Sequence, residues 1–245
     1  MSGDRLRREI VRLFDDARYS VDPARALKLL SNWHVLGALE PGLSMPQEAA
    51  FPLRRVGRCV ERPPWRAGRW RPWVTGLGVW LAPLAPQLRR RTLRRFAVRG
   101  GLLERIVEMA RMRQRNLRAL EQARGRGAID AVLRALPEEE LFAHYAWAAP
   151  AVRRRIVRYA AEDRQRRPPV SGSDLTALGL SGPAVGRALA RVRSAFLDGT
   201  VRSREEALAL AREVGRHGSA RTGRRKRAGK SKSRARRGSE SARDE

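Results

Sequence analysis

Two groups of residues in this chain have types and spacing suited to holding phosphate. Arg153, Arg154, Arg155 and Arg158 crowd guanidinium groups into the stretch after Pro150, and a planar guanidinium can meet two phosphate oxygens at once. The second group is Gly182, Gly186, Arg187 and Arg191. Gly182 and Pro183 stand where a helix would open. Backbone N–H groups at such a mouth lack intrahelical partners, so they and the nearby arginines can receive a phosphate oxygen. A third cluster, Arg89 to Arg91 with Arg94 and Arg95, reads better as a solvated helix face.

Residues arranged for catalysis or metal binding are not evident, and neither a catalytic nor a metal site is expected. Asp15 and Asp16 are adjacent, so on a helix their side chains diverge by about 100° and do not share a metal. Glu138 to Glu140 suit the positive end of a helix dipole. His34, His144 and His217 are scattered without ligand spacing, and Cys59 stands alone, which excludes an intramolecular disulfide and cysteine-cluster zinc sites. There is no Gly-Lys-Ser/Thr phosphate loop and no nucleophile elbow.

Apolar residues recur at three- and four-residue spacing almost throughout, so the fold class is all-α, an array of short antiparallel helices. The first helix runs from about Asp4 through Leu6, Ile10 and Phe14. The second opens at Asp22 and Pro23, carries Leu27, Leu30 and Leu36, and ends at Gly37 and the Pro41-Gly42 pair. Between Met45 and Pro86, Trp65, Trp70, Trp73 and Trp80 lie among prolines and glycines. There short helices joined by turns are expected, with the tryptophans packed in the core and not offered as a base-stacking platform. Further helices are expected over Pro86–Val98, Gly101–Arg124, Ala128–Leu136, Pro137–Ala148 and Pro150–Gln165.

The pair Pro168-Pro169 reads as a stiff linker. Three regions follow: a helical body over 1–165, a helical hairpin subdomain over 166–215 and a disordered basic tail over 216–245. The tail includes Arg224 to Arg227 and Arg234 to Arg237, and it has too little apolar surface to fold.

Formal net charge is +28 over 245 residues, and 42% of residues are hydrophobic. A real core is affordable, and the expected partner is a polyanion. Arginine richness also follows from a GC-rich genome, so charge alone does not name that partner. The most apolar stretch, Trp73 to Pro86, is broken by Gly76, Gly78 and Pro83 and falls short of the roughly 20 residues that span a bilayer. The N-terminus shows no secretory signal. A cytoplasmic protein with no membrane partner is expected.

The most informative segment runs from Pro169 to Val214. Ser171 or Ser173 caps a helix with Asp174 in its first turn, and that helix stops at Gly179. The turn Leu180 to Gly186 leads into a second helix, and Ser203 with Glu206 has capping-box spacing. The order Gly172, Asp174, Leu175, Leu178, Gly179, then Gly182, Pro183, Gly186, Leu189, then Leu197, Asp198, Gly199 and Glu206 to Ala211 closely resembles the C-terminal segment of bacterial tRNA nucleotidyltransferases (CCA-adding enzymes) and related poly(A) polymerases. Ser181-Gly182-Pro183 is one residue shorter than that family's usual turn. Ser2 to Ile10 resembles the same family's segment that follows its catalytic head and neck, and Ala24 to Leu43 resembles the family's helix that ends near a leucine, glycine and proline, while Met45 to Gln165 matches only in general helical character.

The resemblance implies an RNA-binding body and tail, with tRNA as the partner. In the family, nucleotidyl transfer uses a head in which Gly-Ser is followed by Asp-x-Asp and two carboxylates hold two metal ions. No such motif occurs in these residues, so magnesium and a nucleoside triphosphate would belong to a separate head domain. Two alternatives stand beside this reading. The chain is one half of a split or truncated CCA-adding or poly(A)-adding enzyme, or it is a basic helical DNA-binding protein.

Overall fold

The protein is described here from a computed structural model covering residues 2–19, 21–59, 62–65 and 70–216. The expectations for the basic tail beyond residue 216 and for His217 lie outside the described residues. All described regular structure is helical, as the apolar spacing predicts, and no strand occurs among the described residues. The chain divides into two compact units, Met1–Gln165 and Arg166–Glu245.

The first unit comprises α1 (Gly3–Asp15), a 3-10 turn (Asp16–Tyr19), α2 (Pro23–Asn32), α3 (Val35–Leu39), α4 (Gln47–Cys59), α5 (Pro72–Leu81), α6 (Pro86–Arg95), α7 (Gly100–Gln122), α8 (Arg126–Leu133), α9 (Glu138–Trp147), α10 (Pro150–Arg158) and a π-helical turn (Tyr159–Asp163). Residues Val74 to Leu81 of α5 are all buried, and a helix apolar all round must be enclosed on every side. It is enclosed by α1, α4, α7 and α9. The apolar stretch that is too short for a membrane is therefore the central helix of the body. Its glycines permit the packing: a Cβ on Gly76 would overlap the Phe14 ring, and one on Gly78 would overlap the Met109 sulfur.

Asp22 caps α2 as its sequence position predicts, accepting from the N–H groups of Ala24 at 3.0 Å and Arg25 at 3.3 Å. The end of that helix differs from expectation. It stops at Asn32, His34 takes φ 58°, and Gly37 lies inside the separate helix α3. A left-handed residue ends a helix, but histidine does not advertise that conformation as glycine does. α2 and α4 run antiparallel: the N-terminus of α2 meets the C-terminal half of α4 through Asp22 and Arg54 at 3.3 Å, and the N–H of Met45 donates to the Ser31 hydroxyl at the other end, at 3.4 Å.

The second unit holds α11 (Gly172–Ala177), α12 (Pro183–Leu197) and α13 (residues 204–216). They share a small core of Val170, Leu175, Ala188, Val192, Ala207 and Ala211. Ser171 and Asp174 form a reciprocal capping box on α11, Gly179 follows that helix with φ 83°, and Ser203 with Glu206 forms the same device at the start of α13.

Candidate nucleic-acid interface

The four arginines of α10 do not share one surface. Arg154 and Arg158 are exposed and four residues apart, which puts them on one helix face. Arg158 also has its Nε 3.7 Å from a carboxylate oxygen of buried Asp163. Arg155 turns inward, donating to the carbonyls of Leu120 at 3.0 Å and Ala123 at 3.2 Å. These carbonyls close α7, where no intrahelical donor remains. Arg153 is half-buried and close enough to Arg55 to lower its pKa, second to burial itself. From the group of four, Arg154 and Arg158 are left as the outward pair.

At the hairpin, Gly182, Gly186, Arg187 and Arg191 are all exposed. Arg187 and Arg191 are four residues apart on α12, so they too share a face. Gly182 takes φ 53°, which only glycine adopts freely. No described protein atom lies within 4 Å of a Cβ built on Gly186, so the protein's own packing does not demand a glycine there. The mouth of α12 is more closed than its sequence implies. Pro183 brings no N–H, and the N–H groups of Ala184 and Val185 donate to the carbonyls of Ser181 and Gly182, each at 3.2 Å. Phosphate contact here would rest mainly on the two arginines.

The α6 cluster is a solvated face only in part, with Arg91 and Arg94 exposed and Arg89 buried. Arg89 is buried and donates to the carbonyls of Leu81, Ala82 and Leu84 at 3.1, 2.8 and 2.8 Å, capping the end of α5. Arg90 forms a two-pronged pair with Glu104 at 2.6 and 2.8 Å, Arg91 meets Glu40 at 2.8 Å, and Arg95 donates to the Leu39 carbonyl at the end of α3. Arg94 faces out. With Arg99, Gly100, Leu103 and Glu104 it lines a shallow depression of about 450 Å³.

Trp65 and Trp80 are fully buried, Trp65 stacks on Phe142 with ring centroids 4.7 Å apart, and Trp70 meets Phe142 edge-on. They pack the core, as expected. Among the described residues the exposed aromatics lie elsewhere, at Trp33 (67% exposed) and Phe51 (71%), positions that carry no signal in the sequence beyond their type. Glu139 and Glu140, expected at a helix mouth, do open α9 but are buried. Glu139 pairs with Arg71 at 3.2 Å and Arg105 at 3.8 Å, and burial raises the pKa of Glu140. His144 is buried too, with Nδ1 2.8 Å from the Glu140 carbonyl and Nε2 3.2 Å from the Asn116 amide. Burial lowers its pKa. Among the described residues no three His, Cys, Asp or Glu side chains gather as a metal site. Among them, too, no helix is long and apolar enough to cross a membrane.

This helical arrangement has counterparts among solved structures. The chain superposes on a Thermotoga maritima CCA-adding enzyme complexed with tRNA with a TM-score of 0.69, at 18% identity, over 87% of this chain and 51% of that one. A CCA-adding enzyme complexed with CTP gives 0.68 at 18% identity, over 85% and 50%, and an apo form gives 0.68 at 17%, over 85% and 49%. The likeness is one of fold. This chain spans about half the length of the solved structures it matches. No protein-family model matches it, and no curated protein sequence does.

Proposed function

We propose that this chain is an RNA-binding helical module of the tRNA nucleotidyltransferase type, gripping tRNA through phosphate contacts and backbone shape. The observation that carries the reading is a fold shared with a CCA-adding enzyme that was solved on tRNA, in a chain of formal net charge +28. The resemblance in residues 169–214 supports it independently. The proposed contacts are Arg154 and Arg158 on α10, with Arg153 beside them, and Gly182, Gly186, Arg187 and Arg191 on the hairpin. Arg155 is assigned to the frame, since its guanidinium is engaged with α7.

Such a grip depends on displaced counterions. With about five phosphate contacts, raising salt from about 50 to about 200 mM should weaken tRNA binding by a few hundred-fold. Fluorescence anisotropy with labelled tRNA, in competition with duplex DNA of equal charge, tests this directly. Near-zero salt dependence, or preference for the DNA, would sink the RNA reading, and the second outcome would favour the DNA-binding alternative.

A second reading is favoured by the half-length match: the module works with a catalytic head that carries the metal and nucleotide chemistry. The partner would then be a nucleotidyltransferase head, and the assembled activity would be addition of CCA or adenosine to RNA 3′ ends. Nucleotide incorporation into tRNA lacking its 3′ end, with and without a head supplied in trans, decides it. Incorporation only with the head supports this reading, and incorporation by this chain alone overturns it.

A further inference from the structure

Trp33 stands apart from the other described tryptophans. Trp65 stacks on Phe142, Trp70 donates its indole N–H to the Trp65 carbonyl, Trp80 donates to the Ser44 carbonyl, and Trp73 and Trp147 lie under Arg71 and Arg113. Trp33 is 67% exposed and has no ring or cation partner among the described residues. Leaving that much indole in water forfeits a large hydrophobic gain, and with Leu29 40% exposed one turn before it, Trp33 is not an isolated apolar residue of this surface.

The neighbourhood indicates what would cover it. On α2, Arg25, Leu29 and Trp33 follow one another at four-residue spacing along one row, and Lys28 and Asn32 form the row beside it. All five are exposed. Lys28 is five residues from Trp33, about 7.5 Å along the axis and about 140° around it, at the edge of this face, while Arg25 lies about 80° around from Trp33. Val35, 37% exposed, follows just after His34. From residue 24 to residue 39 the sequence contains no carboxylate. The flanking acids are engaged: Asp22 caps α2 and pairs with Arg54, and Glu40 pairs with Arg91. An apolar protein surface would leave Arg25 and Lys28 without counter-charge. A strand of nucleic acid satisfies both features, because its bases have π-faces that stack on an indole and its phosphates meet cations.

We propose that the exposed face of α2 is a second RNA contact, where the Trp33 indole stacks an unpaired base and Lys28 and Arg25 hold the adjoining phosphates. It rests on the RNA-binding reading but uses different residues and a different kind of RNA. The arginine faces of α10 and α12 suit backbone shape, whereas this face needs an unstacked nucleotide.

The test uses the full chain, a single-stranded oligoadenylate carrying one fluorescent adenine analogue, and an RNA hairpin stem of equal charge. Trp33→Ala should weaken strand binding about tenfold and abolish the quenching of the analogue that stacking produces, while leaving stem binding unchanged. Trp33→Phe should keep most of both signals, and Lys28→Ala should weaken strand binding and flatten its salt dependence. Strand binding that is equal in wild type and Trp33→Ala overturns the platform and leaves the RNA-binding reading intact. Binding of neither RNA by the wild type overturns both. Self-association of the wild type that Trp33→Ala abolishes, with strand binding unchanged, also overturns the proposal and assigns the face to a contact between copies of the chain.

Discussion

At the scale of single residues, the sharpest constraints come from two glycines and a histidine. Both glycines face buried side chains, but Gly76 faces the rigid ring of Phe14, whereas Gly78 faces the sulfur near the end of the flexible Met109 chain. Overpacking a core costs about 1–3 kcal/mol, and the helix propensity gained by replacing glycine with alanine returns about 1 kcal/mol at most. Gly76→Ala should therefore lower the urea midpoint clearly, while Gly78→Ala, relieved by Met109, should sit near wild type. Equal effects would mean that the ring yields as readily as the thioether. His144 makes a different prediction. Its Nδ1 lies against a carbonyl and so carries the proton, which leaves Nε2 to accept from Asn116. Burial holds its pKa below the ordinary value of about 6.5. The neutral ring is the folded form, so its contribution is complete above that value and is lost as pH falls through it. Glu140 has its pKa raised by burial and acts in the opposite sense. The difference in denaturation midpoint between wild type and His144→Gln isolates the histidine. That difference should shrink as pH drops from about 7.5 to about 5.5, and a constant difference would remove His144 as the cause.

At the scale of elements, arginine terminates helices. The guanidinium groups of Arg89, Arg95, Arg155 and Arg55 reach the closing carbonyls of α5, α3, α7 and α9 in turn, through Leu81, Ala82 and Leu84, then Leu39, then Leu120 and Ala123, then Ala146. Each puts a cation at the negative end of a helix dipole and satisfies carbonyls that have no intrahelical donor. Among Arg153, Arg154, Arg155 and Arg158, inward and outward roles were indistinguishable in the sequence, because neighbouring side chains of one residue type are sorted only by which helix lies beneath them. The hairpin was far more legible. The capping box of Ser171 with Asp174, the stop at Gly179 and the opening at Gly182-Pro183 are set by residues within a few positions of one another. The break at His34 was not legible, since histidine adopts a left-handed backbone far less often than the glycine that usually marks such an end. The sorted arginines can be tested as a pair. Arg155→Met should destabilise the fold by about 1–3 kcal/mol, since it leaves the α7 carbonyls unsatisfied, with little specific loss of RNA affinity in the folded fraction. Arg154→Ala should leave the melting temperature in place and weaken RNA binding. Reversal of these two phenotypes would return Arg155 to the interface and move Arg154 into the frame.

At the scale of the whole molecule, charge and fold make separate contributions. The all-α class could be read from the spacing of hydrophobic residues, which survives any rearrangement of the surface, whereas the central place of α5 could not, because a helix buried all round has no periodic face. The use of the net charge could not be read either, because guanidinium groups such as those of Arg89 and Arg155 turn inward onto helix-closing carbonyls and do not face a partner. The basic residues beyond position 216, among them Arg224 to Arg227 and Arg234 to Arg237, add cations without any apolar period to shape them. A segment of that composition attracts every polyanion alike, through counterion release. Truncation after residue 216 should therefore lower affinity for tRNA and for an equally charged DNA duplex by the same factor, with a shallower slope of log affinity against log salt and an unchanged melting temperature. The ratio of the two affinities is the decisive quantity. If discrimination resides in the helical units, the ratio survives truncation; if it collapses toward unity, recognition lies in the segment that composition alone would assign to bulk electrostatics.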